Sequence, residues 1–145
     1  MMNIDQSAPL KAQKSIEISA PVNTVWALLA DIPDWPKWQP DVTTAEIEGE
    51  LAVGSIFRWK AAGLNITSTL QEVQPDQQIG WTGKSVGMQA VHHWTLESIE
   101  NGTRVSTEES LNGWFARLLK FFDTHFLEKS LANSLNVLKK RAEQA

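Results

Sequence analysis

Ser15-Ile16-Glu17-Ile18-Ser19 alternates polar and apolar residues, the period of a strand with one covered and one wet side. Ala20-Pro21 ends the alternation. From Val22 the apolar positions fall at Val22, Val25, Trp26 and Leu29, the i, i+3, i+4, i+7 stripe of a helix whose first turn accepts Pro21. Pro33 closes that helix, and Pro36 and Pro40 hold the next segment to a short helical turn at most. Six short runs follow, predicting strands over 42–48, 55–61, 64–73, 78–83, 87–98 and 103–111, with turns at Glu48-Gly49-Glu50, Ala62-Gly63, Pro75-Asp76, Lys84-Ser85 and Asn101-Gly102. From Gly113 to about Arg141 no further proline or glycine occurs, and Phe115, Leu118, Leu119, Phe122, Phe126, Leu131, Leu135 and Leu138 give one broad apolar face to what reads as one long helix.

Two-residue turns test whether the strands agree on a face, because side chains opposite each other across a ladder share a side of the sheet. Ala62-Gly63 sets Trp59 against Ile66, Pro75-Asp76 sets Leu70 against Trp81, Lys84-Ser85 sets Trp81 against Met88, and Asn101-Gly102 sets Trp94 against Glu109. One face then carries Phe57, Trp59, Leu64, Ile66, Ser68, Leu70, Ile79, Trp81, Met88, Ala90, His92, Trp94, Leu96, Thr107 and Glu109, and the other is largely charged or hydroxylated. Only the C-terminal helix is long enough to cover such a face.

At 145 residues, 42% hydrophobic and 21% charged, the chain has the size and balance of one globular domain. No run reaches the roughly 18 apolar residues of a spanning helix, and residues 1–14 lack the apolar core of a secretory signal. The expectation is a cytoplasmic protein without integral membrane association. With no cysteine, disulfides and thiolate chemistry are absent. The net charge of −4 is uneven: residues 112–145 hold six bases against three acids, and the rest seven against fourteen. Such an acidic body repels phosphate, which argues against nucleic acid as a partner.

In that order, the segments SIEISAPVNTVWALLADIPDWPKWQPDV, FRWKAAGLNITSTLQEV, IGWTG, AVHHWTLE and NGTRVSTEES closely resemble the START-like SRPBCC superfamily, in particular its polyketide cyclase/dehydrase and lipid-transport branch, over about residues 13–143. The resemblance implies an α+β helix-grip fold: a seven-stranded antiparallel sheet wrapped around a long C-terminal helix, with two short helices after strand 1 and a cavity between sheet and helix. It makes residues 1–145 a single START-like ligand-binding domain, with about 1–12 as a flexible N-terminal tail, acting as a monomer or weak homodimer without a cofactor.

The expected cavity wall combines Phe57, Trp59, Ile66, Ser68, Leu70, Ile79, Trp81, Met88, Ala90, His92, Trp94, Thr107 and Glu109 of the sheet with Phe115, Leu118, Leu119 and Phe122 of the helix. Trp26 reads as core on the first helix, and Trp35 and Trp38, in a proline-stiffened segment, read as a rigid plug for one end or as direct ligand contacts. Gly83-Lys84-Ser85-Val86-Gly87 matches G-x-S-x-G but lacks the helix that a nucleophile elbow requires after it. His92 and His93 are neighbours on a strand and face opposite ways, and His125 has no partner at ligand spacing, so no metal is implied. Glu109, on the covered face near His92, is either half of an acid/base pair or a structural carboxyl at a strand end. The leading expectation is a protein that binds a hydrophobic or aromatic small molecule, such as a lipid or polyketide. The alternatives are a polyketide cyclase/dehydratase-type enzyme using His92 and Glu109, and an interaction module that uses the outer sheet.

Overall fold

The computed structural model describes residues 2–144. Strand β1 (Leu10–Ile18) leads to helix α1 (Val22–Ala30), a 3₁₀ turn (Ile32–Asp34) and helix α2 (Trp35–Trp38). Strands β2 (Val42–Ile47), β3 (Ile56–Ala61), β4 (Leu64–Gln74), β5 (Gln78–Ser85), β6 (Met88–Ile99) and β7 (Gly102–Asn112) form a meander, and helices α3 (Trp114–Phe122) and α4 (Phe126–Glu143) close the chain. All seven strands join one antiparallel sheet in the order β1-β7-β6-β5-β4-β3-β2. α4 lies on the inner face with Leu127, Leu131, Leu135, Leu138 and Ala142 buried, one residue per helical turn. This is the helix-grip architecture.

The β3–β4 register is as expected, with Trp59 opposite Ile66 around Ala62-Gly63, both residues at positive φ. Leu70 also meets Trp81, but by compensation. A bulge between Leu70 and Glu72 offsets a turn one residue longer than expected, and it turns Leu70 and Val73 both toward the core. The other two hairpins differ from expectation. The β5–β6 turn sits at Val86-Gly87 rather than Lys84-Ser85, so Trp81 pairs with His92 and Ile79 with Trp94. The β6–β7 turn sits at Glu100-Asn101, so Trp94 pairs with Thr107 and His92 with Glu109. Asn101 takes the left-handed φ itself (+72°), while Gly102 serves close approach: a Cβ there would lie 2.0 Å from the carbonyl oxygen of Ile18. The β5–β6 and β6–β7 pairings are shifted by four and two residues, even numbers, so their side chains keep the predicted faces.

The long C-terminal helix begins later than expected. Residues 113–141 do not form one helix, because the Asp123-Thr124-His125 run breaks it. Asp123 is extended, its Oδ1 accepts the backbone N–H of His125 (3.0 Å) and its Oδ2 takes Lys129 Nζ (2.8 Å). A short polar side chain bonding the backbone just ahead of α4 competes with helix continuation. The N-terminal residues are also not a free tail. β1 starts at Leu10, Ile4 and Ala8 are buried, and Asp5 accepts Asn112 Nδ2 at 2.7 Å while its own backbone N–H donates to Ser110 Oγ.

Candidate functional site

Between the sheet and α4 the main core gives way to a cleft of about 190 Å³ and an adjoining chamber of about 70 Å³. Trp59, Ile66, Trp81 and Glu109 line both and form the partition. Trp35, Trp38, His92 and Trp94 complete the predicted contribution to the larger space, and Ser68, Met88 and Ala90 that to the smaller. Ser68 lies opposite Gly83, whose missing side chain keeps the small chamber open: a Cβ there would stand 2.9 Å from Ser68 Oγ.

The remaining predicted lining residues lie elsewhere. Phe57, Leu70 and Ile79 are fully buried in the core beneath the cleft, where Trp26 also packs. Thr107 is buried behind His92. Phe115, Leu118, Leu119 and Phe122 fall on α3, upstream of the Asp123 break, and none lines the cleft. Leu119 packs on a second cluster with Leu10, Leu111 and Leu127, whereas Leu118 and Phe122 are 44% and 77% exposed. The helical wall is instead Ser130, Leu131, Asn133, Ser134 and Val137 of α4, and Gln39-Pro40-Asp41 and Ala61-Ala62 form the rim. The signal for α4 was its small polar residues beside the Leu131–Leu135 stripe, which reads as solvated surface unless a cavity is expected there.

Trp35, in the proline-stiffened segment, is buried at the end of the cleft. It is 2% exposed, donates its indole N–H to Leu29 O (3.2 Å) and meets Phe57, Trp59 and Trp81 at centroid distances of 5.6, 5.3 and 5.5 Å. The first two contacts are edge-to-face, the favoured aromatic geometry. Trp59 donates to Ser68 Oγ (3.1 Å). The indole N–H groups of Trp38 and Trp94 are buried without an acceptor among the described residues.

His92 stacks between Trp81 and Trp94, at 5.1 and 5.3 Å. Its Nε2 lies 2.9 Å from Thr107 Oγ1, and that hydroxyl donates its single proton to His93 O (3.1 Å). Thr107 therefore accepts from Nε2–H, which leaves the lone pair on Nδ1. Nδ1 faces Glu109 Oε2 at 3.4 Å. Burial holds Glu109 protonated, raising its pKa to about 8, and burial with the neighbouring His93 lowers that of His92 to about 3. Near neutrality the pair is a carboxylic acid facing a neutral imidazole, with a proton to offer and a base beside it. His93 faces the other side of the sheet, 2.8 Å from Glu72 Oε1 and 3.7 Å from Glu108 Oε1. Among the described residues no cluster of three His, Asp or Glu side chains has metal-binding geometry. Ser85 is followed by a turn and β6, so no nucleophile elbow forms.

The fold and cleft define a helix-grip protein whose small interior space is walled by indoles and by the facing side chains of Glu109 and His92. The sequence model of the polyketide cyclase / dehydrase and lipid transport family matches residues 9–143, and the chain belongs to that family. No curated protein sequence matches it. Among solved structures it is similar to the hypothetical protein jhp0584 from Helicobacter pylori, with TM-score 0.84 and 18% identity over 98% of this chain and 97% of that one. It is also similar to the Zhui aromatase/cyclase from Streptomyces sp. R1128 (TM-score 0.78, 18% identity, 92% and 93% covered) and to a START superfamily protein from Mycobacterium smegmatis (0.76, 15%, 92% and 97%). At these identities the likeness concerns the fold.

Proposed function

We propose that the protein binds a hydrophobic or aromatic small molecule, a lipid, a polyketide or a compound of similar character, in the cleft between sheet and α4. The observation that carries this is the pair of adjoining spaces that share Trp59, Ile66, Trp81 and Glu109 as lining, an apolar lining with a few convergent polar groups of the kind that holds small ligands. At about 190 Å³ the main space is below the roughly 300–1,000 Å³ of pockets that enclose drug-sized molecules. The ligand is therefore compact and flat, or extends past the Gln39–Asp41 rim. A cytoplasmic monomer or weak homodimer that does not bind nucleic acid goes with this reading.

Native mass spectrometry of freshly purified protein tests it, together with tryptophan fluorescence on titration with fatty acids, sterols and polyphenols. A co-purifying compound, or a saturable change that Trp81→Phe weakens, supports binding. No adduct and no response across the panel refutes it.

One observation favours a second reading, a cyclase/dehydratase-type enzyme. Glu109 and His92 face the same cleft as a neutral acid and a neutral base, the states needed to protonate a carbonyl oxygen and to accept a proton from the adjacent carbon. The indole walls would fold a flexible chain for that step. Turnover of a poly-β-ketone thioester mimic that is lost in both Glu109→Gln and His92→Phe supports it, and binding without turnover rejects it.

A further inference from the structure

The helix that failed to cover the cleft carries a feature that ligand binding does not use. α3 buries Ala116 and half-buries Phe115 and Leu119, which is its contact with the domain. On its opposite side Trp114, Leu118, Phe121 and Phe122, at i, i+4, i+7 and i+8, form a second apolar stripe, with Trp114 64% and Phe121 82% exposed. Val86, in the β5–β6 turn that packs against the start of α3, is also exposed. The turn is fixed to the helix, since Phe115 N–H donates to Gly87 O (3.0 Å) and the indole of Trp114 lies over Gly87, where a Cβ would clash at 2.5 Å. Hydrophobic residues scattered singly on a surface need no explanation, whereas three exposed aromatic residues and a leucine along one side of a nine-residue helix do.

The charges beside the stripe select its occupant. Arg117 and Lys120 flank it, both exposed and without an ion pair among the described residues, and α3 contains no acid. Lys84 at the end of β5 adds a third cation, whereas Asp123 is engaged by Lys129. The bulk of the chain is acidic, so this end is electrically distinct. A helix with one aromatic stripe and a purely cationic flank is the pattern of a segment that lies in the plane of an anionic membrane surface. Antiparallel pairing of α3 with a second copy would set Arg117 and Lys120 beside their own counterparts, with no acid on either α3 to offset them.

We propose that α3 and the β5–β6 turn dock this protein peripherally on anionic lipid surfaces. Trp114, Phe121 and Phe122 enter the headgroup region, and Arg117 and Lys120 pair with lipid phosphates. No helix among the described residues is long and apolar enough to cross a membrane, so the contact is one face deep. The proposal is independent of what fills the cleft.

Flotation of the full chain with phosphatidylcholine vesicles, with and without about a third phosphatidylglycerol, tests it directly. The expected result is binding to the anionic vesicles that weakens with salt. Phe121→Ser with Phe122→Ser, at exposed positions, should lower the partition coefficient at least tenfold. Arg117→Glu with Lys120→Glu should abolish the preference for anionic lipid, and both variants should keep the wild-type circular dichroism spectrum. Failure of the wild type to float with anionic vesicles overturns the proposal, and so does binding that neither double variant alters. Sedimentation equilibrium showing a dimer that Phe121→Ser with Phe122→Ser disperses, without vesicle binding, would assign the stripe to a second copy instead.

Discussion

Replacing Glu109 by Gln separates the state of this carboxyl from its shape. The amide has nearly the size of a protonated carboxyl and can still donate a hydrogen to Nδ1 of His92, but it cannot ionise. The folded protein holds Glu109 neutral up to about pH 8, whereas an unfolded chain ionises it near 4.5. Its contribution to stability is therefore fully present below about pH 4.5 and lost as the pH rises through about 8. At about 1.4 kcal/mol per pH unit, the gap from 4.5 to about 8 corresponds to about 5 kcal/mol at the alkaline limit. Water entering from the cleft reduces that figure. Glu109→Gln should match the parent near pH 4.5 and exceed it by about 2–5 kcal/mol at pH 9. His92 acts at the other end, contributing stability above about pH 6.5 that is lost as the pH falls through about 3, and it does so in both proteins. Urea unfolding followed by tryptophan fluorescence at pH steps from about 4.5 to 9 measures the difference. A difference that stays constant with pH would refute the assignment of a neutral, buried Glu109.

Three further outcomes follow from the packing. Trp35→Ala removes the hub of the aromatic cluster and should cost about 3–5 kcal/mol in urea unfolding, with weaker ligand titration because the cleft loses its end wall. Gly83→Ala places a methyl 2.9 Å from Ser68 Oγ; displacing that hydroxyl from the Trp59 indole should cost about 1 kcal/mol, and calorimetric titration should show the affinity loss confined to ligands long enough to enter the small chamber. Asp123→Ala removes the side chain that satisfies the start of α4 and should cost about 1 kcal/mol, seen as faster amide exchange in the first turn of α4.

The sheet face was legible because its period is two, and register shifts of four residues at β5–β6 and two at β6–β7 leave that period intact. Trp59, Trp81, His92, Trp94 and Glu109 were thus placed on the inner wall although three of the four turns differ from expectation, the third being offset by the bulge in β4. The two turn errors have separate causes: at β6–β7 Asn101 alone takes the left-handed turn position while Gly102 admits the end of β1, and at β5–β6 the left-handed position falls to Gly87 rather than to Lys84 or Ser85. α3 was misread because apolar spacing reports a stripe and not what covers it. Its break depends on Asp123 reaching His125 and Lys129, a contact between side chain and chain that no proline or glycine announces. Ser130, Asn133 and Ser134 were missed because small polar residues on a helix mark a cavity wall only when something stands opposite them.

The three residues from Asp123 to His125 also separate two tasks between adjacent helices. The cleft is enclosed by α4 and the sheet, and the exposed apolar stripe belongs to α3. Under the proposed roles of the two surfaces, substitutions that retune membrane docking can accumulate on one side of Asp123 while the lining of the cleft is inherited unchanged on the other.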